Sequence, residues 1–149
     1  MTKSENRTAK IEKAAGITPA AKVRDFTDLQ VWQLARELRQ QAYALCAGFP
    51  PDERFALAQQ LRRATISITA NIAEGFGRYS YQENIQFCRL ARGSAYEVRD
   101  HLITATDQHY ISGEGHQRVE ALALRVIQTL NGYIRSTQAR QTAANEAKV

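Results

Sequence analysis

No apolar run in the chain approaches the ~20 residues that a bilayer-spanning helix needs, so no transmembrane segment is expected. The opening MTKSENRTAK lacks the apolar stretch of a secretory signal, and a cytoplasmic, thiol-reduced protein is the resulting expectation. Cysteine is scarce: Cys46 and Cys88 form no CxxC spacing, and each falls within or beside an apolar stripe, as a small buried hydrophobe does. The three histidines, His101, His109 and His116, make no i, i+4 pair and no HExxH, which argues against a metal site. GxSxG and GxxxxGK[ST] are also missing. Gly75-Phe76-Gly77 begins like a dinucleotide fingerprint, but it follows a helical pattern and Ser80 stands where the third glycine belongs. Glu74 and Glu97 have arginines nearby, which favours ion pairing over acid–base work. The expectation is a protein with no catalytic residues, no cofactor and no metal.

Lysine is absent from residues 25–135, which carry twelve arginines against twelve acids. The net charge of +5 therefore sits outside that stretch, mainly in residues 1–24 with their six basic side chains. Those residues have no sustained apolar period and read as a flexible basic arm. A chain of 149 residues has room for one ordinary domain.

From Phe26 onward the apolar spacing is helical throughout. Thr27 with Gln30 reads as a cap and Phe26 with Val31 as a staple, opening a first helix on Val31, Leu34, Leu38, Ala42 and Leu45. Gly48 and Pro50-Pro51 stop it, and Pro51, Asp52 and Glu53 suit the first turn of a second helix facing inward through Ala58, Leu61, Thr65, Ile68 and Ile72. Gly75 reads as its left-handed cap. Ser80 with Glu83 opens a third helix whose seam runs Cys88, Ala91, Ala95, Val98, Leu102, Ala105, His109. After Ser112, Gly113 and Gly115, a fourth seam follows through Val119, Leu122, Val126, Leu130 and Tyr133, and the polar residues 136–149 read as a fraying tail. No segment alternates with period two. The expected fold is all-α: an antiparallel up-down-up-down four-helix bundle over 25–135.

Residues 64–73, ATISITANIA, carry no charge. At ~100° per residue, Ile66, Ala70 and Ala73 face away from the inward residues of this helix, so it is apolar on both sides. Those three residues are therefore the expected interface with another subunit or with a different protein, unless the terminal arm covers them. Arg92 and Arg99 flank the third seam, with Arg89 beside them. Together with Arg62, Arg63 and Arg78 they are candidate phosphate contacts, the competing use being pairs with Glu97, Asp100 and other acids.

The segments FTDLQVWQLA (26–35), FP (49–50), QLRRATISITANIAEGFGR (60–78) and ARGSAYE (91–97) resemble the bacterial four-helix-bundle family that includes proteins encoded in 23S ribosomal RNA intervening sequences. The resemblance runs from about Phe26 to Ile134. Thr69-Ala70 replaces the family's usual Pro-Ser step before the Asn, and Arg92 fills the variable place of AxGSxxE. The same broad family includes the accessory variability protein of diversity-generating retroelements. That branch implies a pentameric barrel of bundles that binds nucleic acid and a reverse transcriptase. The resulting expectation is a non-enzymatic homo-oligomer, a homopentamer by this resemblance, that binds RNA or DNA or a nucleic-acid-processing protein through its arginines. The alternative is a protein-interaction scaffold that binds no nucleic acid.

Overall fold

The computed structural model describes residues 22–149. Residues 1–21, and with them most of the expected basic arm, lie outside the described residues. Four helices follow in order: α1 (Gln30–Cys46), α2 (Leu57–Gly77), α3 (Tyr81–Asp107) and α4 (Gly113–Glu146). Each packs on its sequence neighbours and α4 closes against α1, while the diagonal pairs do not meet, consistent with an up-down bundle. None of these helices is long and apolar enough to cross a membrane.

The expected seams form the core. Leu38, Leu61, Ile68, Val98, Leu102, Val119, Val126 and Leu130 are fully buried, each contributing about 1.5–3 kcal/mol by leaving water. Ala91, Ala95 and Ala105 are equally buried on α3, where their small side chains let larger ones from facing helices interdigitate. The three buried polar residues among those described are all threonines. The Thr65, Thr69 and Thr137 hydroxyls donate to the carbonyls of Arg62, Ile66 and Tyr133 at 2.9, 3.1 and 2.8 Å, so no donor is stranded.

Several element ends differ from expectation. Thr27 does not cap α1: its hydroxyl donates to Asp25 within a short 3-10 turn, Phe26–Asp28, and the residue before α1 is Leu29, which has no capping side chain. Asp28 holds that turn by accepting the Arg24 and Asp25 N–H groups at 2.9 and 3.1 Å, and these bonds lower its pKa. Phe26 packs edge-on against Trp32 with ring centroids 5.3 Å apart. Pro51 opens a second 3-10 turn, Pro51–Glu53, rather than α2. The acid at the dipole is nevertheless used: Glu53 accepts the Leu57 N–H at 2.9 Å, and its other oxygen accepts the Tyr110 hydroxyl at 2.9 Å. This bond to Glu53 raises the Tyr110 pKa.

Gly75 is not a left-handed cap. It lies buried inside α2, and the left-handed residue is Tyr79, with φ 54°. A Cβ on Gly75 would fall 2.8 Å from Phe87 Cβ, so glycine is there for the close approach of α3. Ser80 caps α3 as expected, accepting the Glu83 N–H at 3.4 Å. His109 leaves the α3 seam: it is exposed just beyond the helix, with φ 60°, in the left-handed conformation that ends α3. Ser112 caps α4 by accepting the Gly115 N–H at 3.0 Å. Residues 136–146 do not fray but continue α4, with Thr137 buried in its seam.

Candidate nucleic-acid interface

The six arginines expected to contact phosphate lie along the α2–α3 and α3–α4 grooves and at the start of α2, and five of them are bonded within the chain. Arg62 donates to the Arg54 carbonyl at 3.1 Å, against the start of α2. Arg63 pairs with Glu97 across α2 and α3 and also donates to Gln60 at 3.0 Å. Arg78 pairs with Glu74 at 2.8 Å and stacks over Phe87 at 5.2 Å. On the other side of α3, Arg92 donates to Asn131 at 2.8 Å, while Arg99 pairs with Glu120 at 2.7 Å and lies over Tyr96. Arg89 alone of the six has no hydrogen-bonded or ionic partner among the described residues. The pairs of Arg63 and Arg78 are solvated, so they add little to stability.

Glu97 also meets His101 at 3.3 Å. Next to it along the α2–α3 groove, Ser67 and Ser94 share a hydrogen bond of 2.9 Å. Asn71 bonds back to Ser67 at 2.8 Å, within its own helix. Glu74 and Glu97 are thus both charge-neutralised by arginine, and they do not form a carboxylate dyad. Both thiols are buried. Burial raises the pKa of Cys46 and pushes Cys88 up to about 12, which leaves Cys88 protonated near neutral pH.

Arginines outside the expected set are more available. Arg118, Arg125, Arg135 and Arg140 are exposed on α4, and none makes an ion pair with a carboxylate among the described residues. Arg140 bonds only within its own helix, to Ser136 and Thr137. At ~100° per residue, Arg118, Arg125 and Arg140 fall within an arc of about 60°, along about 33 Å of helix. A sequence signal for this face exists: no acidic residue occurs between Glu120 and Glu146. It carries weight only once residues 136–146 are known to continue the helix. Arg89 borders the same end of α4, in a cleft it shares with Gln138 and Gln141.

Of the expected interface residues, Ile66 is 44% exposed, Ala70 is exposed and Ala73 is half-buried. Ile66 lies with Tyr43, Arg39 and Gln40 along a shallow groove between α1 and α2. Arg39 reaches past this groove to donate to Thr69 at 2.8 Å.

Comparison with known proteins agrees with this architecture. A solved structure from Bacteroides thetaiotaomicron, described as a protein of unknown function from the S23 ribosomal protein family, superposes with a TM-score of 0.66. It is 22% identical and the match covers 70% of this chain and 95% of that one, a likeness of fold. No curated protein matches the chain. The family model of the 23S rRNA-intervening sequence proteins matches residues 27–132, more than half of the chain. The chain therefore belongs to the 23S rRNA-intervening sequence protein family.

Proposed function

We propose that this protein is a non-enzymatic bundle that assembles with copies of itself and binds nucleic acid, RNA above all, through the arginine face of α4. The observation that carries this reading is the exposure of Arg118, Arg125 and Arg140 on one face of α4, none paired with a carboxylate among the described residues, on a helix with no acid between residues 120 and 146. Guanidinium groups free of internal pairing are the ones available to displace counterions from phosphates. The six basic side chains of residues 1–24 add sequence-independent attraction. The names of the family and of the Bacteroides structure mention 23S rRNA and a ribosomal protein family, and on those names alone RNA is proposed ahead of DNA.

Self-assembly rests on the exposed apolar side of α2, with Ile66 and Ala70 as contacts; five subunits is the number that the family resemblance implies. A nucleic-acid-processing protein such as a reverse transcriptase is a further partner implied by the same resemblance. The competing reading, a scaffold that binds only protein, draws on the apolar Tyr43–Ile66 groove. Reversing two α4 charges separates the two readings. Arg118→Glu with Arg125→Glu should lower affinity for a single-stranded RNA at least tenfold while leaving the circular-dichroism spectrum and the oligomer unchanged. A folded double variant with wild-type affinity would remove α4 as the interface, and a wild type without affinity would leave the scaffold.

A further inference from the structure

Four aromatic side chains surround one cleft at the end of the bundle where α2 turns into α3. Phe76 comes from α2, Tyr79 from the turn, Tyr81 from the first position of α3, and Tyr133 from α4. The cleft encloses about 270 Å³, near the lower limit of ~300 Å³ for small-molecule sites, which suits one planar ring system and little more.

Packing accounts for Phe76 and Tyr133, which lie half-buried against the core, but not for the other two rings. Tyr79 is 93% exposed and Tyr81 is 42% exposed, so neither stabilises the core by full burial. Tyr79 also adopts φ 54°, a left-handed conformation that is uncommon for a bulky residue and usually falls to glycine or asparagine. An aromatic ring at a position where the backbone favours glycine points to a role for the ring.

The polar groups of the cleft narrow the ligand class. Asn84 donates to the Tyr133 hydroxyl oxygen at 3.0 Å, which leaves the Tyr133 proton free to donate. The Ser80 hydroxyl accepts the Glu83 N–H, and its own proton is likewise uncommitted among the described residues. Arg140 lines the same cleft and makes no ion pair with a carboxylate among the described residues. A cationic ligand is disfavoured by that guanidinium, whereas an aromatic ring carrying an anionic group satisfies the whole set. Aromatic platforms, hydroxyl donors and a nearby arginine are the means by which proteins hold unstacked bases of single strands.

We propose that this cleft binds one unstacked base of single-stranded nucleic acid, with Tyr79 stacking on the base and Arg140 meeting its phosphate. This rests on the nucleic-acid reading above and adds to it a preference for single strands over duplexes, because a paired base cannot enter. The test uses the full chain and a uridine decamer carrying one 2-aminopurine, prepared as RNA, as the DNA counterpart, and as a duplex with its complement. Wild type should quench 2-aminopurine fluorescence in the single strands and bind them more tightly than the duplex. Tyr79→Ala should lose the quenching and weaken single-strand binding about tenfold, with duplex binding unchanged, and Tyr79→Phe should restore both. If Tyr79→Ala keeps wild-type quenching and affinity while Arg118→Glu with Arg125→Glu loses binding, the cleft assignment fails and the α4 interface stands. If wild type binds no oligonucleotide, both fail together.

Discussion

Gly75 and Gly93 are both helical, and the space around them differs. A Cβ on Gly75 would meet Phe87 Cβ at 2.8 Å and the Asn84 backbone oxygen at 3.2 Å, neither of them the flexible end of a side chain. Gly75→Ala should therefore push α2 and α3 apart at a cost of about 1–3 kcal/mol. Gly93 has nothing within 4 Å of the same position, so Gly93→Ala should stabilise the protein by about 0.5–1 kcal/mol through helix propensity. Urea denaturation of both variants checks the signs, and a stabilised Gly75→Ala would show that the helices do not approach so closely. The sequence EGFGR announces a break near Gly75, but it cannot indicate which residue takes the left-handed conformation. In the structure Gly75 stays helical beneath Phe87 of the neighbouring helix, and the left-handed residue is Tyr79. The same limit applies to the arginines. Arg92 and Arg99 were legible as residues flanking the α3 seam, whereas their bonding to Asn131 and Glu120 depends on the pairing of α3 with α4.

For whole elements, spacing was the reliable guide, and it failed where a polar residue behaves as an apolar one. The expected α4 seam ends at Tyr133, whereas the buried face continues through Ile134 to Thr137, a polar residue that apolar spacing passes over. Its hydroxyl is satisfied by the Tyr133 carbonyl one turn back, so the rest of the side chain packs like that of a small hydrophobe. Thr65 and Thr69 do the same on α2. Thr137→Val should accordingly change stability by less than about 1 kcal/mol, because the lost bond leaves no buried donor unpaired. Thr137→Arg, which forces a long charged chain into the seam, should cost about 3 kcal/mol or more. Equal effects of the two substitutions in chemical unfolding would mean that residues 136–146 do not pack on the bundle. Recognising this continuation of α4 also changes the candidate site, since it brings Arg140 onto the same face as Arg118 and Arg125.

At the scale of the whole molecule, charge and apolar surface are laid out separately. Residues 25–135 are neutral in sum, three of the six candidate arginines are bonded across grooves and two more locally, and α4 carries four exposed arginines without an ion pair among the described residues. Ile66 and Ala70 of α2 are exposed instead of buried within the subunit. Ala70→Arg should alter a solitary protomer by only a few tenths of a kcal/mol. In a subunit contact it buries an unpaired charge, at about 3–5 kcal/mol per interface, and the oligomer should dissociate into folded protomers by light scattering. An intact mutant oligomer would place the interface elsewhere, and a monomeric wild type would dismiss self-assembly. The central claim, phosphate contact through α4, is tested most directly by the salt dependence of RNA binding. The account predicts that affinity falls steeply with ionic strength and that Arg118→Glu with Arg125→Glu makes the log–log slope shallower by about 1.4, from ~0.7 per phosphate contact on a single strand. Parallel slopes for wild type and variant, or an affinity indifferent to salt, would contradict it.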